Sequence, residues 1–115
     1  MIIGGPVDTD TVSTVWPTTM PGEPGLAAHT AFIGAHSIDA DLDLVDVSLA
    51  AALAKRRLVE AGRRVILLAD STKWGAAAAA KVINLSAIDV VITDDGLAKG
   101  LRQAIKDAAA ELVIA

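Results

Sequence analysis

From residue 30 onward, short apolar runs alternate with stretches in which apolar residues recur at helical spacing. The runs predict five strands, at residues 30–34, 65–69, 81–85, 90–93 and 112–114. The run at 65–69 is continuously aliphatic, which is typical of a strand buried on both faces. Strands that alternate with helices predict an α/β fold: a Rossmann-like, mostly parallel sheet with flanking helices.

Two helices are predicted between these strands. Asp46 or Ser48 is expected to cap the first helix, and Gly62 is expected to end it. The predicted buried stripe of this helix consists of Val47, Ala50, Ala51, Ala54, Leu58 and Ala61. Asp95 is expected to cap the second helix. Its predicted stripe consists of Leu97, Leu101, Ala104 or Ile105, and Ala108. The alanine run at 76–80 is compatible with a short third helix.

Turn-forming residues dominate the rest of the chain. Residues 1–4 are predicted to end a strand, residues 11–16 are β-prone, and prolines and glycines predict a loop over 17–25 with a helical turn at 26–29. Residues 37–44 predict an acidic loop. Its carboxylates belong to Asp39, Asp41 and Asp43, and the glycine and distal glutamate of a calcium loop are missing, so solvated side chains are expected. No linker divides the sequence, and residues 1–115 are expected to form one domain.

The composition argues against several classes of function. A net charge of −4 and few basic residues argue against a grip on a nucleic-acid backbone by this chain alone. The chain has no cysteine and only two histidines, so disulfides and thiolate chemistry are excluded, and no metal or cofactor is expected. No apolar run approaches the roughly 18 residues that span a bilayer, and no signal peptide is recognisable, so a cytoplasmic protein is expected. The apolar content of 53% suggests that part of the surface is covered by another chain or by further sequence.

Candidate site residues follow three of the predicted strands. The carboxyl ends of parallel strands lie at one edge of a sheet, so residues 34–36, 70–73 and 93–96 are expected to meet there. Asp70 and Lys73 offer a carboxylate that can hold a sugar hydroxyl and an ammonium that can neutralise a phosphate. Their spacing is equally compatible with an ordinary strand end, in which the carboxylate caps a turn and the lysine is solvated.

Other candidates carry a weaker signal. Asp94 and Asp95 form a carboxylate pair that can bind Mg²⁺ or act as acid and base, although a helix cap is the expected role of the second. His36 comes two residues after the strand-ending Gly34 and either contacts a ligand or has no task. Lys55 lies on the first predicted helix, where it can reach the sheet edge or remain solvated.

Three stretches, AFIGAHSID, AKRRLVEAGRRVILLADSTKWG and LSAIDVVITDDGL, together resemble the C-terminal domain of DeoR-type transcriptional repressors of sugar metabolism. The family shows L-A-D-S-S-K-F-G where this chain has LADSTKWG, and the resemblance extends from about Gly4 to the C-terminus. It implies a fold similar to ribose-5-phosphate isomerase and glucosamine-6-phosphate deaminase. It also implies a domain that senses a phosphorylated sugar or related metabolite and alters DNA binding by a winged helix-turn-helix. The effector-binding residues then expected are Asp70, Lys73, Lys55, His36, Gly34, Ser71 and Asp94.

The chain departs from the family pattern at several positions. It lacks the helix-turn-helix and the front of the sensor domain, including a Gly-Thr-Thr phosphate loop, which leaves a sheet edge exposed and favours a homo-oligomer. The family's acidic or amide residue is His36 here, the glycine after it is Ser37, and a further glycine is Trp16. The family glutamate four residues before Lys55 is Ala51, so this lysine is expected to lack that partner.

Three functions remain open at this stage. The expected one is an effector-sensing and oligomerisation domain without catalytic residues, in which an anionic metabolite between Lys73, Lys55 and Asp70 shifts the arrangement of attached DNA-binding heads. The second is an interaction module that binds no ligand. The third is a small sugar-phosphate isomerase-like enzyme, for which Ala51 removes one candidate carboxylate.

Overall fold

The computed structural model describes residues 7–10, 13–14, 27–109 and 111–115. The strands within these residues are β1 (Val7–Asp8), β2 (Ser13–Thr14), β3 (Ala28–Gly34), β4 (Ser37–Ile38), β5 (Asp43–Asp46), β6 (Gly62–Leu68), β7 (Ala80–Asn84), β8 (Val90–Thr93) and β9 (Glu111–Ile114). The helices are α1 (Leu49–Ala61) and α2 (Lys99–Ala108), with 3-10 turns at Ser71–Lys73 and Leu85–Ala87. The predictions for residues 1–4 and 17–25 lie outside the described residues.

A four-stranded parallel sheet forms the centre of the fold and confirms the predicted α/β class. Its strands lie in the order β3-β6-β8-β9, which is also their order along the chain. Connections between adjacent parallel strands are right-handed. Because each new strand is added on the same side of the one before it, every connection lies on the same face of the sheet. Both helices accordingly contribute buried residues to one core on one side of this sheet.

The covered face of the sheet carries the core. The strand register aligns Ile33 of β3, Leu67 of β6 and Val91 of β8 side by side, and all three are buried. Ala52 of α1 and Ile105 of α2 pack into the same cluster. Burial of branched aliphatic side chains from a sheet and two helices is the main favourable term in the stability of such a domain.

The second face of the sheet carries several exposed apolar side chains in the part of the chain that the structure describes. Phe32 is 62% exposed and Leu68 is 47% exposed, and Val113 on β9 is also exposed. Gly34, Leu68, Ile92 and Val113 are in register across the four strands, so these exposed positions belong to one surface. The prediction that residues 65–69 are buried on both faces is therefore wrong for this face. We call Phe32, Leu68 and Val113 the open apolar face.

A second, antiparallel sheet combines two strands that lie between β3 and α1 in the sequence with a third that follows β6. β4 pairs with β5, and β5 pairs with β7. The prediction of an irregular loop over 37–44 is wrong at both ends of that stretch, because Ser37 pairs with Val45 and Leu44 pairs with Ile83. The predicted strand at 81–85 is confirmed as β7, within this small sheet.

The first helix begins and ends where the sequence indicates. The Ser48 side chain accepts a hydrogen bond from the Ala51 N–H group at 3.1 Å and caps α1, and Gly62 follows its last turn. The predicted stripe is wrong: the buried positions are Ala52 and Val59, whereas Leu58 is exposed. Alanines occur on every side of this helix, so the apolar pattern alone does not identify the side that faces the core.

The second helix begins later than predicted. Its N-terminal cap is Ala98, with no capping side chain, so the prediction that Asp95 caps it is wrong. Leu97 and Ile105 of the predicted stripe are buried. None of the helices in the described ranges is long and apolar enough to cross a membrane.

Two short helical predictions are also wrong. Residues 76–79 contain no helix, and Ala80 begins β7. Gly75, just before them, has a φ of +97°, a left-handed conformation that glycine adopts readily. The predicted turn at 26–29 overlaps β3, which already includes Ala28 and His29.

Candidate functional site

The loop after β6 turns sharply at the carboxyl edge of the parallel sheet. Asp70 caps the 3-10 turn at Ser71–Lys73: its carboxylate accepts hydrogen bonds from the Thr72 N–H group at 2.8 Å and from the Thr72 hydroxyl. The Lys73 N–H group donates to the Asp70 carbonyl at 3.1 Å. The turn-capping role that the sequence left open is thus observed, and it leaves the second carboxylate oxygen available to a ligand.

Asp94 links this loop to the loop after β8. Its carboxylate accepts hydrogen bonds from the Ser71 N–H group at 3.0 Å and from the Gly96 N–H group at 2.9 Å. A Cβ atom at Gly96 would lie 2.7 Å from the Ser71 hydroxyl, so a side chain at this position would displace Ser71 or Asp94 where the two loops approach. The expected meeting of residues 70–73 and 93–96 is therefore confirmed.

Both carboxylates at this edge are held in the ionised form. The Thr72 hydroxyl, followed by the Thr72 N–H group, lowers the pKa of Asp70, and the Lys73 ammonium adds to this while Asp94 opposes it. The Ser71 N–H group, then the Ser71 hydroxyl and the Gly96 N–H group, lower the pKa of Asp94. At neutral pH both side chains are therefore acceptors only, suited to hydroxyl or ammonium donors.

The segment after Lys73 joins the site to the small sheet. Trp74 forms a parallel bridge with Ile38 of β4, and the Gly75 N–H group donates to the Ile38 carbonyl at 2.7 Å. These contacts fix the 3-10 turn relative to β4, which begins three residues after Gly34 at the end of β3. The Asp94 carboxylate thus joins the loops after β6 and β8, and the segment after Lys73 is joined to β4, the strand that follows the third predicted loop.

Lys55 has a partner that the sequence did not reveal. Its Nζ atom lies 2.7 Å from an Asp46 Oδ2 atom, and the two side chains are 25% and 7% exposed. The Asp46 carboxylate also accepts the Val47 N–H group at 2.7 Å. The family glutamate four residues before Lys55 is absent, because that position is Ala51, and Asp46, at the end of β5, supplies a carboxylate instead.

His36 and Gly34 lie on the β3 side of this edge. The antiparallel pairing of Ser37 with Val45 brings His36 and Asp46 to the same end of the small sheet. His36 is exposed, and its neighbour Ser37 is buried. A Cβ atom at Gly34 would meet open space, so packing does not require glycine at this position.

Three buried polar atoms near this edge have no hydrogen-bond partner among the described residues: Ser37 Oγ, Trp74 Nε1 and Thr93 Oγ1. Buried donors are nearly always satisfied, so each calls for an explanation. Thr93 lines an open cavity of about 330 Å³ at the ends of β6 and β8, together with Asp70 and Asp94. The sequence placed Thr93 in the candidate stretch 93–96, but it could not indicate that these three side chains lack partners, because a missing hydrogen bond depends on the folded surroundings.

The acidic turn between β4 and β5 is compact. Oxygens of Asp39, Asp41 and Asp43 lie within 4.8 Å of one another. The Asp39 carboxylate accepts the N–H groups of Asp41 and Asp43 at 2.9 and 3.0 Å, and the Lys81 Nζ atom lies 3.2 Å from Asp43. The Asn84 amide, followed by Lys81, lowers the pKa of Asp43. These hydrogen bonds and this ion pair explain why the three carboxylates lie close together: they stabilise the turn.

Comparison with known proteins finds similarity to a sensor-domain family and to transcription regulators. The family described as "DeoR C terminal sensor domain" matches residues 1–95. The HTH-type transcriptional regulator YulB of Bacillus subtilis (strain 168), itself uncharacterized, is 32% identical over 76 residues, which cover 66% of this chain and 30% of that protein. The "Putative aga operon transcriptional repressor" of Escherichia coli O157:H7 is 26% identical over 83 residues, or 72% of this chain and 31% of that protein.

The chain spans about a third of the length of the curated relatives it matches. The matched stretch includes β3, β6 and β8 and the loops that carry Asp70, Lys73 and Asp94. The parallel sheet, the loops at its carboxyl edge and the match over residues 1–95 agree, and the chain belongs to the family of DeoR C-terminal sensor domains.

Proposed function

We propose that this chain is the effector-sensing and oligomerisation domain of a cytoplasmic DeoR-type repressor of sugar metabolism, and that its effector is a phosphorylated sugar. The hydrogen-bonded junction of Ser71 and Asp94 carries the proposal, because it holds together at the carboxyl edge of the sheet the two loops that carry Asp70, Lys73 and Asp94. The carboxylates suit sugar hydroxyls, and Lys73 suits a phosphate. DNA is contacted only through a helix-turn-helix outside this sequence.

The proposed mechanism is binding without turnover. An effector changes DNA binding only if it prefers one arrangement of the assembled regulator to another. The loops after β6 and β8 are suited to this task, because they share the Ser71–Asp94 hydrogen bond and are tied to β4 by the Gly75 N–H group. A ligand that contacts Asp70 and Lys73 therefore acts on several elements at once.

Calorimetric titration with ribose 5-phosphate, glucose 6-phosphate and fructose 6-phosphate tests the effector class. At least one is expected to bind, and Lys73→Gln is expected to weaken it about tenfold, because a charge-assisted contact to the phosphate is lost. Lys106→Gln is the matched control. Lys106 lies in the last turn of α2, which leads to the amino-terminal end of β9 and so away from the carboxyl edge of the sheet. Absence of heat with every sugar phosphate, on a sample shown to be folded by circular dichroism, would refute the proposal.

The open apolar face favours a second candidate function, that of an interaction module. Parallel sheets are normally covered on both faces, and Phe32 is 62% exposed on this one. Sedimentation velocity is expected to show a dimer or higher oligomer that Phe32→Glu shifts toward monomer. Leu49→Glu, at an exposed apolar position on α1, is expected to leave the distribution unchanged. A clean monomer of the unmodified chain at high concentration would contradict the oligomer.

A further inference from the structure

The side chain of Arg102, in the first turn of α2, reaches back to the loop after β8. Its Nε atom donates a hydrogen bond to the Leu97 carbonyl at 2.9 Å, and its Nη2 atom donates to the Asp95 carbonyl at 2.7 Å. Hydrogen bonds from a charged donor are stronger than neutral ones, and the planar guanidinium holds both in a fixed geometry. The shape of this loop is therefore set from the helix as well as from the strand before it.

Arg102 occupies a position that does not favour a cation. Residues 99–102, the first turn of α2, include Lys99 and Arg102, and the N-terminal cap is Ala98, which has no side-chain oxygen to offer. The positive end of the helix dipole lies in this turn, so the two cations and the missing cap both weaken the start of the helix. The hydrogen bonds of Arg102 to the loop offset part of that cost.

A chain of three hydrogen bonds connects Arg102 to the 3-10 turn after β6. The Asp95 carbonyl and the Gly96 N–H group belong to one trans peptide group and point in opposite directions. Arg102 holds the carbonyl end, and the Asp94 Oδ1 atom accepts the N–H end at 2.9 Å. The Asp94 Oδ2 atom accepts the Ser71 N–H group at 3.0 Å. Hydrogen bonds in such a chain polarise and strengthen one another, so the guanidinium acts on Ser71 without touching it.

We propose that Arg102 is a positioning residue of the effector site, which orients the peptide group before Gly96 and through it the Asp94 carboxylate, and so couples α2 to the 3-10 turn after β6. The inference rests on the proposed function and names the helix on which that site acts. Coupling between two parts of a protein is reciprocal. A ligand that fixes the turn at Lys73 therefore stabilises the start of α2, and a change at the start of α2 alters the affinity for the ligand.

Nuclear magnetic resonance of the full chain tests the positioning role by comparing Arg102→Met with Lys99→Met. Each variant removes one cation from the first turn of α2, but only Arg102 donates hydrogen bonds to the described loop after β8. Arg102→Met is expected to shift the Ser71 amide proton signal and to speed its exchange with solvent about threefold, because the Asp94 carboxylate is less firmly held. Lys99→Met is expected to leave the Ser71 signal and its exchange rate unchanged.

The Asp94→Asn background separates this chain of hydrogen bonds from a general loosening of the loop. The two carboxylate oxygens of Asp94 accept from different N–H groups, and an amide keeps only one of these oxygens, so the link between Gly96 and Ser71 is interrupted. In this background, Arg102→Met is expected to cause no further change in the Ser71 signal. A merely structural role of Arg102 would instead disturb Ser71 to the same extent in both backgrounds.

Calorimetric titration of the same variants with ribose 5-phosphate, glucose 6-phosphate and fructose 6-phosphate measures the effect on the site. Arg102→Met is expected to weaken binding about threefold, and Lys99→Met is expected to leave it unchanged.

The outcomes distinguish the two proposals. An unchanged Ser71 signal in Arg102→Met, or equal changes in the two backgrounds, would overturn the positioning role. If a sugar phosphate binds equally well to Arg102→Met and to the unmodified chain, the effector site stands and its coupling to α2 fails. If the Ser71 signal changes as expected while no sugar phosphate binds, the link between α2 and the turn stands and the proposed function fails.

Discussion

Replacing Leu67 with alanine is expected to lower the free energy of unfolding by about 3 kcal/mol, whereas the same change at Leu68 costs under about 1 kcal/mol. The two leucines are neighbours in β6 and lose the same atoms. Leu67 is fully buried in the core cluster to which both helices contribute, while Leu68 is 47% exposed on the open apolar face. The difference therefore measures how unequally the two faces of the sheet are covered.

Urea denaturation followed by circular dichroism measures both values, and the slope of each transition shows whether the unfolded reference is comparable. Leu68→Ala serves as the control for strand propensity, since both changes remove a leucine from the same strand. Equal losses in the two variants would show that the open apolar face is packed against something in solution. That result would contradict the one-sided arrangement and would favour the interaction module over the ligand-binding domain.

The one-sided sheet explains which parts of the fold can be predicted from the sequence. Residues 90–93 form a continuous β-branched run, and β8 has the predicted bounds because such a run in the middle of a sheet has few alternatives. Ser48 and Gly62 bound α1 because capping is local chemistry. The exposure of Leu68 could not be predicted, because it depends on the order of the strands in the sheet and on their being added in one direction. Both are properties of the whole sheet and not of one segment.

The wrong predictions share a physical cause. The pairing of β4 with β5 depends on β7, about forty residues further along, and no local pattern in an acidic stretch reports that partner. Asp95 has the residue type of a helix cap, but Asp94 already accepts the Gly96 N–H group in a turn, and α2 begins only at Lys99. A short alanine run forms a stable helix only with tertiary support. The pairing of β7 with β5 therefore decides the conformation of residues 76–79.

The position of the candidate site residues could be predicted from the sequence, but their ion-pair partners could not. The strand-end rule brought Asp70, Ser71 and Asp94 to one edge, and the Ser71–Asp94 hydrogen bond of 3.0 Å confirms that they meet. The pairing of Lys55 with Asp46 could not be read from spacing, because the two residues lie on different elements, nine positions apart. Helical spacing rules describe partners three or four positions apart on one helix.

Replacing Lys55 with methionine is expected to lower the free energy of unfolding by about 2 kcal/mol, because it leaves the nearly buried Asp46 carboxylate without its cation. Removal of one member of a buried pair costs about 3–5 kcal/mol and of an exposed pair about 1 kcal/mol or less, and the exposure of these two side chains lies between the cases. Asp46→Asn is expected to cost less, since the amide oxygen still accepts the Val47 N–H group and Lys55 can turn to water.

The double variant, Lys55→Met with Asp46→Asn, is expected to be more stable than Lys55→Met alone, because no uncompensated charge remains at the end of β5. Lys81→Met is the matched control: its ammonium lies 3.2 Å from Asp43, but the lysine is mostly exposed, so a loss of about 0.5 kcal/mol or less is expected. Additive losses in the double variant would contradict the pair. If the pair holds, Lys55 is a structural cation, and any loss of effector binding in Lys55→Met must be measured on fully folded protein before the lysine is counted as an effector contact.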